Sequence, residues 1–288
     1  MAEKKVNKQK VADSQEELAP SAEQPTVPVE ASEEAKTVAK NATVKEETSV
    51  VIVSMPGLER ETLLALRSFI AFLRGCFKFI MVGVDLPDMD DHLRDSTANI
   101  PFDFSSNYYG DMIELMKLLT ACDEVSDSFV FVPPRCWLVD RIGLEHLLIP
   151  KHAGLFIGAI SRNSNAEALV NTRDIFAAEN YPVVLRDYNT GYPMCFQKAF
   201  LVDVFEFIDK HGEDVDIFSC YGNMLFGMNH PIECRLEDEW GLCIKSENIS
   251  VEAFAHFITY KCFLRSEVAL PTLAEEYICG LLDVNNVV

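Results

Sequence analysis

Short runs of apolar residues alternate with segments of helical periodicity through the middle of the sequence. The runs are Val50–Ser54, Lys78–Val84 and Phe129–Val132, and a turn signal or a proline follows each of them. Between them, "LERETLLALRSFIAFLRG" and "DMIELMKLLTAC" repeat apolar residues at the spacing of one helix face. Strands that alternate with helices form a parallel, doubly wound sheet. The pattern therefore predicts an α/β fold in which the three runs are neighbouring strands of one mainly parallel sheet flanked by helices.

The second half of the chain is predicted to contain more helix. "MCFQKAFLVDVFEFIDKHG" has helical periodicity and ends at Gly212, whereas "VVLRDYNTGYP" is typical of a strand that runs into a loop. The last third contains "FAHFITYKCFL" and "TLAEEYICGLL", which favour helix. We therefore expect a mainly helical C-terminal part.

The first 48 residues differ in composition from the rest of the chain. They contain no Phe, Trp, Tyr, Cys, Gly or His and are rich in Ala, Glu, Lys, Val and Thr. Such a segment buries too little apolar surface to offset the entropy cost of ordering it. Residues 1–48 are predicted to be a disordered tail and residues 49–288 one large folded domain. The tail has no apolar core of signal-peptide length, which favours a cytoplasmic protein.

Charge and cysteine usage exclude several classes of function. The formal net charge is −20, and the tail contributes little of it, with seven lysines against ten acidic residues. An acidic domain repels nucleic acid and anionic lipid, and no apolar run is long enough to span a membrane. The nine cysteines form no CxxC pair and the six histidines no HxH or HxxxH pair, so we expect buried thiols and no zinc site.

Four sequence blocks, in order, resemble a known family. They are "LALRSFIAF", "VSDSFVFVPPRCWL", "RDYNTGYPMCFQKAFLVDVFE" and "SCYGNMLFG". These blocks are similar to the conserved segments of GT-A-like sugar-nucleotide glycosyltransferases of the capsular-polysaccharide (Stealth-like) and phage type. The resemblance covers roughly residues 50–230. It implies a GT-A-like (Rossmann-like) fold, a nucleotide-sugar donor and a glycan acceptor.

The sequence departs from this family where its metal site would be. The family's strand ends in Asn-Asp-Asp, whose carboxylates hold a divalent cation on the nucleotide diphosphate. This chain has Pro133, Pro134 and Arg135 there, so we expect no metal and no cofactor. Two interpretations of Arg135 remain open. The guanidinium could bind the diphosphate in place of the metal, or it could be a solvated loop residue.

The second family motif, "YDTHlP", is also altered. Its Asp corresponds to Asn189, which cannot accept a proton near neutral pH, and its His corresponds to Gly191. Asp187, two positions upstream, is a candidate substitute, so the candidate catalytic residues are Asp187 and Asn189. The candidate substrate-binding residues are Arg135, Asp85, Arg67, Asn223 and Tyr221. Structural alternatives are a surface ion pair for Arg67, capping of a turn for Asn223 and N-capping of the next helix for Asp85.

These observations support three hypotheses of function. The first is a domain derived from a nucleotide-sugar transferase that has lost metal-dependent catalysis and binds a sugar, a nucleotide or a protein partner. The second is an active, metal-independent glycosyltransferase in which Arg135 replaces the cation. The third is a structural or interaction protein of a phage or mobile element.

Overall fold

The computed structural model describes residues 47–75, 77–148, 151–162, 167–181, 184–211, 214–227, 241–259 and 261–284. Residues 1–46 of the predicted tail and the predicted helix end at Gly212 lie outside the described residues.

The strands and helices follow one another along the chain much as the alternating pattern predicts. The strands are β1 (Thr48–Ser54), β2 (Leu73–Arg74), β3 (Phe77–Gly83), β4 (Thr97–Ile100), β5 (Ser128–Val132), β6 (Cys136–Leu138), β7 (Ile142–Gly143), β8 (Met194–Gln197), β9 (Gly241–Ile244) and β10 (Phe263–Ser266). The α-helices are α1 (Glu59–Phe72), α2 (Asp91–Asp95), α3 (Tyr108–Ala121), α4 (Phe156–Arg162), α5 (Glu167–Ala178), α6 (Lys198–Asp209), α7 (Ile217–Phe226), α8 (Val251–Ile258) and α9 (Thr272–Val284), and one 3₁₀ turn spans Leu144–His146.

The central sheet has five strands in the order β4-β3-β1-β5-β8. The first four are parallel, and β8 runs antiparallel to β5. Val50 pairs with Phe79 on one side and with Val130 on the other. The predicted α/β class and the adjacency of the three apolar runs in one mainly parallel sheet are therefore confirmed.

The central strand β1 is buried along its whole length because helices cover both faces of the sheet. Val50 and Ile52 belong to one core, which includes residues of α1 and α9, and Val51 and Val53 belong to the other, which includes residues of α3, α6 and α7. Alternate side chains of a strand point to opposite faces, so a continuous apolar run is what a strand between two helical layers requires.

Two elements of the structure differ from those that the sequence pattern predicts. The segment Met194–Gln197, predicted as the start of a helix, is strand β8, and helix α6 begins at Lys198. The predicted strand "VVLRDYNTGYP" contributes only an isolated bridge between Leu155 and Arg186 among its described residues. A four-residue apolar run has no distinguishing period, so only its pairing with β5 decides that it is a strand.

The C-terminal part contains helices α8 and α9, as expected, and also two strands that we did not predict. Strand β10 pairs antiparallel with β6 and parallel with β9, which makes a small second sheet in the order β6-β10-β9. Because β6 follows β5 after three residues, this small sheet brings the C-terminal segment next to the end of β5.

Candidate functional site

The candidate site lies at the carboxyl edge of the central sheet. The chain passes from β1 to β3 and β4 on one side and later returns to β5 on the other, so the order in which strands are added to the sheet reverses between β1 and β5. In open α/β sheets, ligands bind outside the carboxyl ends of the strands at such a point. We call this place the crevice, between Met55–Gly57 after β1 and Pro133–Arg135 after β5. Because Met194 of antiparallel β8 pairs with Phe131, the loop 186–191 approaches the same edge.

An ion pair occupies the end of β5. Arg135 adopts the left-handed backbone conformation, with φ of 59°, and its Nε donates to Oε2 of Glu61 at 2.8 Å. The side chains of Arg135 and Glu61 are 26% and 15% exposed. Glu61 lies in the first turns of α1 and also accepts a hydrogen bond at Oε1 from the backbone N–H of Leu270, at 3.0 Å. The carboxylate of Glu61 thus neutralises the guanidinium and ties the end of β5 to α1 and to the segment before α9.

This donor set does not fit a divalent cation. Pro133 and Pro134 have no side-chain oxygen, and Arg135 repels a cation. Among the described residues, no group of three or more His, Cys, Asp and Glu side chains is placed to hold a metal ion. The residues that follow β5 therefore do not supply ligands for the metal that the family resemblance implies.

A second guanidinium, which the sequence analysis did not single out, lies next to the position of the family's histidine. Gly191 has a φ of +70°, and a Cβ built on it would be 2.3 Å from Nη1 of Arg265 on strand β10. Arg265 also lies over the ring of Tyr192, 5.4 Å from its centroid, and its Nη2 donates to Glu267 at 2.9 Å. The absent side chain of Gly191 thus leaves the room that Arg265 fills. In the sequence, Arg265 is a single arginine in the short run "FLRS". That this run is a strand follows only from the pairing of β10 with β6.

The two candidate catalytic residues lie in the loop 186–191. The Asp187 side chain is buried at 7% exposure, and its Oδ1 accepts a hydrogen bond from the backbone N–H of Asn189 at 3.1 Å. The backbone of Asp187 pairs with Ala153 and Gly154 on the neighbouring segment. This geometry fixes the start of the loop, and the catalytic role of Asp187 and Asn189 stays a prediction.

Helix α7 holds this loop through polar side chains at helical spacing. Asn223 accepts from the backbone N–H of Arg186 at 2.7 Å and donates to its carbonyl at 2.8 Å. Ser219 accepts from the backbone N–H of Tyr188 at 3.1 Å and donates to Oδ2 of Asp216 at 2.7 Å. In the sequence, Asp216, Ser219 and Asn223 have the i, i+3, i+7 spacing of one helix face, and the sequence analysis did not single out this pattern.

Asp216 is a fully buried carboxyl group behind this loop. Its exposed fraction is 0%, and its Oδ1 has no hydrogen-bond partner in the part of the chain that the structure describes. Burial, together with repulsion from Asp187, raises the pKa of Asp216 to about 7. The carboxyl group therefore keeps its proton to a higher pH than an exposed aspartic acid does, directly behind the loop that carries Asp187.

The predicted substrate-binding residues of α7 contact the protein interior. The hydroxyl of Tyr221 accepts a hydrogen bond from the backbone N–H of Gln197 at 2.9 Å, and its ring packs against Phe196 and Phe200. Asn223 is 0% exposed, and its amide also donates to the carbonyl of Ser219 at 2.7 Å. These contacts indicate structural roles, and substrate contact by either side chain stays a prediction.

Asp85 and Arg67 lie in different places. Asp85 follows β3 at the carboxyl edge, is 64% exposed, and accepts from the backbone N–H of Leu86 and from Arg94. Arg67 lies six residues after Glu61 in α1, about 9 Å further along the helix at 1.5 Å per residue and away from this edge. The structure therefore keeps Asp85 at the predicted edge and separates Arg67 from Arg135.

Comparison with known proteins gives only weak likenesses. No protein-family model matches the sequence, and no curated protein matches it. Among solved structures, the apo form of the glycosyltransferase GlyE of Streptococcus pneumoniae TIGR4 aligns with a TM-score of 0.44 at 12% identity, over 84% of this chain and 64% of that one. The apo structure of the bifunctional glycosyltransferase WbbM aligns with a TM-score of 0.48 at 10% identity, over 84% of this chain and 50% of that one.

The chain thus spans between half and slightly less than two thirds of those structures. Since both TM-scores are below 0.5, we rest neither the fold class nor the function on them. Within the described ranges, no helix combines the length and the apolarity that crossing a bilayer requires.

Proposed function

We propose that the folded part of this chain is a glycosyltransferase-like domain, derived from a nucleotide-sugar transferase, that has lost metal-dependent catalysis. Its remaining activity is to bind a sugar, a nucleotide or a protein partner, and the cytoplasm is its proposed location. The four sequence blocks in family order support the descent. The altered residues of two blocks, Arg135 and Gly191, belong to segments at the same edge of the sheet, where a donor substrate would bind.

The observation that carries this proposal is the ion pair between Glu61 and Arg135. A nucleotide diphosphate needs positive charge at the end of β5, from a metal ion or from a free guanidinium. Here the guanidinium is paired with a carboxylate that is only 15% exposed, so the pair is close to neutral. Arg265 is likewise paired with Glu267. Neither arginine offers an uncompensated charge to a diphosphate.

A second candidate function is a metal-independent glycosyltransferase in which Arg135 contacts the diphosphate. One observation favours it. Only Nε of Arg135 contacts Glu61, and the two Nη atoms have no partner among the described residues. These atoms could donate to phosphate oxygens while Nε keeps its contact with Glu61. We prefer the first proposal because the nearby carboxylate would repel the phosphate groups.

Titration calorimetry with UDP, GDP and CMP sugars, with and without Mn²⁺, tests these proposals. If metal-dependent catalysis has been lost, Mn²⁺ should not be required for the binding of any of these nucleotide sugars. Metal-free affinity that Arg135→Ala weakens by about 1.5–3 kcal/mol, the range for hydrogen bonds to charged groups, would favour the metal-independent enzyme. Affinity that appears only with Mn²⁺ would refute both proposals. Arg173→Ala is the matched control, because Arg173 is half exposed on α5 and pairs with its neighbour Asp174.

A further inference from the structure

A cleft of about 610 Å³ lies between α1 and the start of β3. Glu47, directly before β1, and Phe77 and Lys78, at the start of β3, contribute to its lining, so it lies towards the amino ends of these strands. Helix α1 contributes Arg67 and Ile70. Its volume is within the range of about 300–1,000 Å³ that small-molecule sites occupy.

The guanidinium of Arg67 in this cleft makes no hydrogen bond to any described residue. Its Nε is buried without an acceptor, and its Nη2 lies 3.8 Å from Oδ2 of Asp90, which is too long for a hydrogen bond. The other oxygen of Asp90 accepts the backbone N–H of Leu93 as the N-cap of α2, so this carboxylate is held away from Arg67. A guanidinium carries five N–H donors, and a buried donor that is left without an acceptor destabilises the folded state. The two Nη atoms also make no hydrogen bond to a described residue, and they are the donors that a ligand in the cleft could reach.

The rest of the lining includes an apolar wall. Phe77 and Phe79 pack edge to face, with ring centroids 5.1 Å apart, and both line the cleft with Ile70. Lys78 alternates with them along β3, so its side chain points to the other face of the sheet, and the carboxylates of the lining belong to Glu47 and Asp90. A guanidinium without a hydrogen-bond partner among the described residues, beside an aromatic wall, matches a ligand that has an anionic group on an apolar body.

We propose that this cleft binds a small organic anion, a carboxylate or a phosphate on an aromatic or aliphatic body, with Arg67 as its principal contact. The site is separate from the crevice at the carboxyl edge and does not depend on the function proposed above. The anionic group accepts hydrogen bonds from Arg67, and the apolar body packs on Phe77 and Phe79.

Two-dimensional NMR titration with phenyl phosphate, benzoate and the neutral benzyl alcohol tests this proposal. We expect saturable shifts of the Phe77–Phe79 amides with at least one of the two anions, and the anion that binds more tightly identifies the head group. Arg67→Met should weaken the binding by about tenfold or more, which corresponds to at least 1.4 kcal/mol. Arg173→Met, which removes an arginine on α5, should leave it unchanged.

Arg67→Lys provides a second variant if Arg67→Met does not fold. It keeps a positive charge but loses the paired guanidinium donors, and it should weaken the binding in the same direction. The proposal is overturned if neither anion gives saturable shifts, if benzyl alcohol binds as well as the anions, or if a folded Arg67→Met protein binds as tightly as the wild type.

Discussion

Replacing the buried Asp216 with asparagine should change how the stability of the protein depends on pH. In the folded protein, burial and the carboxylate of Asp187 raise the pKa of Asp216 from its ordinary value of 3.8 to about 7. In the unfolded chain, the group returns to the ordinary value. At a pH between these two pKa values, the folded state therefore holds a proton that the unfolded state has released. The stabilising contribution of this group is complete below pH 3.8 and is lost as the pH rises through about 7.

The size of the effect follows from this pKa difference. At about 1.4 kcal/mol for each pH unit, the whole difference corresponds to about 4 kcal/mol. The part that lies between pH 5 and pH 8 is about 2.5 kcal/mol by the same relation. The substituted asparagine cannot ionise, yet its amide oxygen can still accept the hydrogen bond from Ser219. As the pH rises from 5 to 8, the free energy of unfolding of the Asp216→Asn protein should therefore fall by about 2.5 kcal/mol less than that of the wild type.

Urea denaturation of both proteins at pH 5, 6, 7 and 8 measures this difference. Asp203→Asn is the control, since Asp203 is exposed on α6 and the same change there should leave the pH profile as it is in the wild type. Parallel profiles for the wild type and Asp216→Asn would show that the carboxyl group is not held protonated by its surroundings, and would refute this reasoning.

Three further predictions concern the loop 186–191 and the N-terminal segment. Asn223→Ala should lower the free energy of unfolding by about 2 kcal/mol, because the part-buried backbone N–H and carbonyl of Arg186 lose their partners. A loss below about 0.5 kcal/mol in urea denaturation would contradict that. Gly191→Ala should lower the thermal midpoint, because the added Cβ meets Arg265 and because the φ of residue 191 is positive. An unchanged midpoint in calorimetry would argue against this packing. Deleting residues 1–46 should leave the midpoint nearly unchanged, as their composition predicts, and a fall of several degrees would count against the predicted tail.

Much of the central sheet could be predicted from the sequence because its strands are buried on both faces. Val50–Ser54 and Phe129–Val132 are continuous apolar runs bounded by turn signals, and helical periodicity between the runs implies crossovers. Strands β8 and β10 could not be predicted in this way. They are four residues long, and β10 contains Arg265, so their identity depends on partners that are distant in the sequence.

The candidate site was predicted only in outline. The position of Arg135 after β5 follows from the strand pattern, but its partner Glu61 is 74 residues away on a helix whose rotation depends on the packed core. Arg265 and Asp216 were missed for the same reason. Their roles follow from what lies beside them in the fold, namely a glycine without a side chain and a second buried carboxylate.

In the proposed function, Glu61 neutralises Arg135 and leaves the end of β5 without free charge for a diphosphate. The most direct measurement is calorimetric titration of UDP into the wild type, Glu61→Gln and Glu275→Gln, each with and without Mn²⁺. Glu275→Gln is the matched control because it breaks the ion pair of Arg60 at α9 instead. We predict that Glu61→Gln alone raises metal-free affinity for UDP, by about tenfold or more, since it frees a guanidinium to make charge-assisted hydrogen bonds. Wild-type affinity that depends on Mn²⁺, or no gain in Glu61→Gln, would contradict the account.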